Sequence, residues 1–132
     1  MKPHSALGAH LRAVEALLGA LGDAYIESYV EELLTGDRAN LRVRVRFETG
    51  RLLEINEALA VEDERLRHLD YRYHCQDAGG GLVFRYDSAP HFPDLPLFPQ
   101  HKHLPDCTVG EGRPSIERVL AEAGSDPRQP MQ

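Results

Sequence analysis

The strongest pattern in the chain is an alternation: Leu41, Val43, Val45 and Phe47 are interleaved with Arg42, Arg44, Arg46 and Glu48. Side chains of a strand point to opposite faces in turn, so this run predicts a half-buried strand with one apolar face and one arginine-rich face. Thr49-Gly50 reads as a tight turn, and a return strand over residues 51–61 carries Leu53, Ile55, Leu59 and Val61. Beyond the charged stretch Glu62-Asp63-Glu64-Arg65, residues 66–76 alternate Leu69, Tyr71, Tyr73 and Cys75 with Asp70, Arg72, His74 and Gln76. The glycine-rich turn from Asp77 to Gly81 leads into a further strand, where Leu82, Phe84 and Tyr86 alternate with Val83, Arg85 and Asp87.

The ends of the chain change period. From Ser5 to Leu21, Leu7, Leu11, Val14, Leu17, Leu18 and Leu21 recur at three and four, which predicts an amphipathic helix with Ser5 as its cap. Residues 24–34 fit two periods: Ile26, Val30, Leu33 and Leu34 suit a helix, whereas the tyrosines, Ile and Val suit a strand. Near the other end Pro114-Ser115 precedes a helical run, Ile116 to Ala123, whose apolar stripe is Ile116, Val119 and Leu120. The expectation is an α+β fold: a four- or five-stranded antiparallel sheet with an N-terminal helix and a short C-terminal helix. It forms a single domain over residues 1–124, with a frayed tail at 125–132.

Composition narrows the class. With 132 residues, 42% apolar and 27% charged, the chain has the make-up of one globular domain. A net charge of −6 argues against a generally basic nucleic-acid-binding protein and leaves room only for a local cationic patch. Cys75 and Cys107 supply neither a disulfide framework nor a C-x-x-C metal knuckle, which fits the cytoplasm. No apolar run suggests export or membrane insertion. Phosphate-cradling, serine-hydrolase and H-E-x-x-H motifs are all missing.

Candidate chemistry gathers between Phe84 and His103. Asp87, His91, Asp94, His101, Lys102 and His103 lie among Pro90, Pro93, Pro96 and Pro99, with Phe92 and Phe98 as aromatic anchors. Proline fixes φ and restricts the residue before it, so such a loop holds side chains at low entropic cost. In extended backbone His101 and His103 point to the same side, and His91 with Asp87 or Asp94 would complete a site for zinc or manganese. Without metal, imidazoles can serve as general base and acid in cleaving RNA through the ribose 2′-hydroxyl, with arginines on the charged phosphorane. His74, Arg72, Arg85, Tyr73 and Tyr86 would stand near the same groove. A third reading needs no chemistry: the histidines bond backbone carbonyls and pin the loop to the sheet.

The run LDYRYHCQDAGGGLVFRYDSAPHFPDLPLFPQHKH resembles the TumE-like group of small bacterial toxin components of toxin–antitoxin pairs. In that group an R-[YW]-D-N-A-P-H-H-P segment is followed by F-P-H-H-K-H. The matching positions are Arg85, Tyr86, Asp87, Ala89, Pro90, His91, Pro93, Phe98, Pro99, His101, Lys102 and His103, while Ser88, Phe92 and Gln100 depart from the pattern. The departures at Phe92 and Gln100 remove two imidazoles from the metal reading. The resemblance implies an α+β domain with an antiparallel sheet, a cytoplasmic toxin-like role and an antitoxin partner, often a helix-turn-helix protein, and it tips residues 24–34 toward a strand. The leading expectation is a metal-independent endoribonuclease with His91, His101, His103, Arg85, Tyr73 and Tyr86 as catalytic residues and Lys102, Arg72, His74 and Asp87 contacting RNA. The alternatives are a non-catalytic protein-interaction module and a metal-dependent hydrolase using His91, His101, His103 and Asp87; a homo-oligomer is compatible with any of these.

Overall fold

The computed structural model describes residues 2–90 and 92–125. Helix α1 (Ser5–Gly19) is followed by strands β1 (Ala24–Thr35), β2 (Arg38–Phe47), β3 (Leu52–Glu62), β4 (Arg65–Gln76), β5 (Leu82–Asp87), β6 (His101–His103) and β7 (Thr108–Gly110), then by helix α2 (Ile116–Ala123). All strands join one antiparallel meander in the order β1-β2-β3-β4-β5-β6-β7. The α+β class and both helices agree with the sequence, but the sheet has seven strands rather than four or five. The additions are β6 and β7, three residues each, too short to show a period of their own. Past Ser125 the expected frayed tail lies outside the described residues.

Residues 24–34 form a strand. Their mixed pattern follows from position, since β1 is an edge strand with Tyr25, Ile26, Val30 and Leu34 exposed, only Ala24, Tyr29 and Leu33 half-buried on the core, and two register shifts that interrupt the alternation. Strand β2 behaves as expected, with Leu41, Val43, Val45 and Phe47 buried.

Both helices cover one face of the sheet. Leu7, Leu11, Val14 and Leu18 of α1 and Ile116, Val119, Leu120 and Ala123 of α2 join Leu41, Val43, Val45, Leu53, Ile55, Tyr73, Phe84 and Tyr86 in one core. The cap of α1 is His4 rather than Ser5: its Nδ1 accepts from the Ala6 amide at 3.0 Å. At α2 the Ser115 hydroxyl accepts from the Arg118 amide at 3.1 Å. Among the described residues the opposite face carries no helix, and Arg72, His74, Arg85, Asp87, His101 and His103 lie on it.

Candidate functional site

Pairing carries the site across the sheet. Antiparallel partners share a face, and the registers chain Arg42 to Asn56, Asn56 to Arg72, Arg72 to Asp87 and Asp87 to His101. A second row beside it runs Arg44, Glu54, His74, Arg85 and His103. Both rows lie on the helix-free face. Neighbouring strands are about 4.8 Å apart, so Arg42 and Asp87 stand about 14 Å apart along the row.

The rows converge on a buried carboxylate. His101 Nε2 lies 2.7 Å from Asp87 Oδ1, and His103 Nε2 lies 3.5 Å from Oδ2. Arg85 Nε donates to Oδ2 at 2.9 Å and the Ala89 amide to Oδ1 at 3.2 Å. His101 Nδ1 is 2.8 Å from the Pro99 carbonyl, which can only accept, so Nδ1 carries a proton. A neutral ring of that tautomer presents a lone pair at Nε2, and a lone pair stands 2.7 Å from a carboxylate oxygen only with a proton or a cation between them. His103 Nδ1 is 3.2 Å from Thr108 Oγ1. Asp87, His101 and His103 each offer a ligand atom within 4.8 Å of the others, a donor set suited to zinc or manganese, with the second ring nitrogen of each imidazole held from outside.

The proline-rich segment covers this centre. Phe92 packs edge-on against both imidazoles, with ring centroids 5.3 Å and 5.8 Å away. Beside the centre, a groove of about 200 Å³ runs along the same face, lined by Asn40, Arg42, Asn56, Asp70 and Arg72. Arg46 is held by Glu27 at 3.0 Å and Arg44 stands 3.6 Å from the same carboxylate, so these cations are already committed. Arg42 and Arg72 are exposed on the groove.

The structure divides the residues singled out in the sequence. Asp87, His101, His103 and Arg85 come together, with Arg72 and His74 in the adjacent β4 positions. Burial and the Arg72 charge hold the His74 imidazole below the usual histidine range. Tyr73, Tyr86 and Lys102 alternate onto the other face, beneath the helices. Tyr86 donates its hydroxyl to Glu122 of α2, and Lys102 Nζ lies 2.9 Å from the same carboxylate. Burial, reinforced by Glu122 for Tyr86 and by Glu57 for Tyr73, pushes both phenols well above the ordinary tyrosine value, so neither forms a phenolate base near neutral pH. Asp94 is exposed and apart from the cluster. His91 lies outside the described residues.

One cluster went unread in the sequence. On the helix-covered face Glu57, whose side chain is 0% exposed, receives His10 Nε2 at 2.7 Å on one oxygen. His68 Nε2 and the Tyr73 hydroxyl, both at 2.6 Å, reach the other oxygen. Arg113 Nη1 donates to the Tyr73 hydroxyl at 3.3 Å. Burial opposes charge on Glu57, but the hydrogen bonds from His10 and His68 outweigh it and hold the carboxyl well below its ordinary value. The signal was an acid at an apolar register position, between Ile55 and Leu59, and a histidine on the stripe of α1 between Leu7 and Val14. His68 reaches this face because Leu69 is an extra residue between the Ala58–Asp70 and Leu59–His68 pairs, a bulge that exposes Leu69 instead.

No curated protein and no solved structure matches the chain. A toxin family does, over residues 16–129, a span that includes every strand of the described residues, both rows of the helix-free face and α2. With the greater part of the sequence matched and Arg85, His101 and His103 of its motifs gathered on the Asp87 carboxylate, the chain belongs to the toxin TumE family.

Proposed function

We propose that this toxin acts on RNA, cutting the phosphodiester backbone at the Asp87, His101 and His103 centre. The observation that carries the reading is the register row Arg42, Asn56, Arg72, Asp87, His101, which leads two exposed guanidinium groups up to a paired imidazole. Guanidinium groups keep their charge and bind phosphate bidentately, so the row suits a strand laid across the sheet. In this reading His103, the more exposed imidazole, takes the proton of the ribose 2′-hydroxyl. The 2′-oxygen attacks phosphorus, and His101, once substrate draws its Nε2 proton away from Asp87, passes that proton to the departing 5′-oxygen, leaving a 2′,3′-cyclic phosphate. Arg85 and Arg72 offset the charge gathering on the phosphoryl oxygens. Tyr73, Tyr86 and Lys102 serve as supports beneath the sheet. Membership of a toxin family implies an antitoxin that silences the activity; a helix-turn-helix antitoxin and action in the cytoplasm belong to this proposal.

The protonated Nδ1 of His101 favours a second reading, in which Asp87, His101 and His103 would hold a zinc or manganese ion, whose chemistry would be to activate water for attack. One experiment separates the two. Purified protein and a folded His101→Ala, His103→Ala variant are incubated with total RNA, once in EDTA and once with Zn²⁺ or Mn²⁺. Cleavage in EDTA that the variant loses supports acid–base catalysis, and cleavage only with metal supports the metal centre. No cleavage by folded protein under either condition overturns both and leaves a non-catalytic binding module.

A further inference from the structure

The cluster on the other face plays no part in that chemistry, yet it joins three elements distant in sequence. His10 comes from α1, Glu57 from β3 and His68 from β4, and one ligand atom of each lies within 4.8 Å of the others. We propose that His10, Glu57 and His68 form a second site, for a divalent transition-metal ion of the zinc type, which fastens α1 to the sheet. Two imidazoles and a carboxylate are a donor set that such ions take, with a fourth position left for water. The orientation of the Glu57 carboxylate is fixed by the Tyr73 hydroxyl, which Arg113 in turn engages, the kind of outer shell that holds metal-bound carboxylates in place.

Zinc–nitrogen bonds near 2.1 Å at tetrahedral angles set the two Nε2 atoms roughly 3.4 Å apart, within the 4.8 Å that spans the three ligand atoms, and each imidazole must draw back from the Glu57 oxygen it now touches at 2.7 Å or 2.6 Å. The Nε2 protons now given to Glu57 would pass to Nδ1 or to solvent. That route is open because the side chains of His10 and His68 are 17% and 10% exposed, while Glu57 is sealed. The ion would enter from the edge where α1 meets the sheet.

The test uses the full chain, stripped of metal with chelator, freed of the chelator and titrated with Zn²⁺ and separately with Co²⁺. In a His101→Ala, His103→Ala background, which removes the Asp87 centre, one equivalent should still bind. Its Co²⁺ form should show the visible bands of a four-coordinate site, and the thermal midpoint should rise with Zn²⁺. Adding His10→Ala and His68→Ala should abolish that equivalent. Should the fourfold variant not fold, the ring ¹⁵N resonances of His10 and His68 in the twofold background provide the same readout, both moving on stoichiometric Zn²⁺. Folded twofold variant that binds no ion, uptake unchanged by loss of His10 and His68, or ring resonances that stay still would overturn the proposal. Absence of RNA cleavage would leave these outcomes untouched, because the site shares no residue with the Asp87 centre.

Discussion

Tyr86 donates its hydroxyl to one oxygen of Glu122, and the other oxygen of that carboxylate lies 2.9 Å from Lys102 Nζ. These two motif residues come from neighbouring strands, are paired in register and point at α2. Strand alternation thus splits the motif in two: Arg85, Asp87, His101 and His103 build the centre, while Tyr86 and Lys102 clamp the helix behind it.

That division predicts different losses. Tyr86→Phe deletes one hydrogen bond to a charged group and should cost about 1–2 kcal/mol. Glu122→Ala strands both donors and should cost about 2–3 kcal/mol, several degrees in thermal midpoint. In both variants cleavage per folded molecule should stay near that of the parent. Chemical denaturation beside the RNA assay checks this, and a large loss of rate in folded Tyr86→Phe would return Tyr86 to the catalytic centre.

Glu57 predicts how stability responds to acid. His10, His68 and Tyr73 face it directly and Arg113 stands behind Tyr73, and the folded carboxyl titrates below the ordinary value of 4.5. A depressed folded pKa means the unfolded chain binds the proton first. The stabilisation is therefore complete above about 4.5 and drains away as pH falls from there toward the folded pKa. Denaturation in chelator between pH 7 and pH 3 should show a fall in stability on the acid side that Glu57→Gln flattens; equal slopes for the two proteins would contradict the assignment.

What the sequence revealed, and what it hid, follows from how each residue is constrained. Strand β2 was plain because one face is buried and one solvated, so its apolar and charged residues could not exchange. Strands β6 and β7 were hidden because three residues carry no period, although His101 and His103 already had the spacing that puts them on one face. Which face Lys102 and Tyr86 take was hidden, because motif membership does not say it; register places both on the helix-covered face. The Glu57 cluster combined an unusual acid, a helix histidine and a bulge, and only tertiary packing brings residues separated by 47 and 11 positions together.

The arginines of the helix-free face should not contribute equally. Arg46 and Arg44 share Glu27, whereas Arg42 and Arg72 line the groove, and Arg72 pairs in register with Asp87. Each phosphate contact to single-stranded nucleic acid adds about 0.7 to the slope of log affinity against log salt. Arg42→Ala and Arg72→Ala should each lower that slope by about 0.7, and Arg46→Ala should leave it nearly unchanged. Binding of a non-cleavable 2′-deoxy oligonucleotide at several salt concentrations measures this, and equal effects from all three would deny the groove a special role.

The covering segment is held at a point where a side chain does not fit. Gly110 of β7 pairs with His101, and a Cβ built on it would stand 2.0 Å from the Pro96 carbonyl oxygen. A backbone oxygen cannot rotate aside, so Gly110→Ala must push the Pro96 segment off β7. The same segment carries Phe92, which packs on both imidazoles. Strain of this kind typically costs about 1–3 kcal/mol, too little to unfold most domains, so the variant should fold with its cover displaced. Hydrogen exchange at the Gln100 amide, now bonded to the Leu97 carbonyl at 2.9 Å, should accelerate. If the cover positions His101 and His103 for chemistry, cleavage should fall at least tenfold. Gly79→Ala, whose added Cβ would meet nothing closer than 3.5 Å, should keep full rate. Accelerated exchange with undiminished cleavage would mean that the segment shields the centre without shaping it.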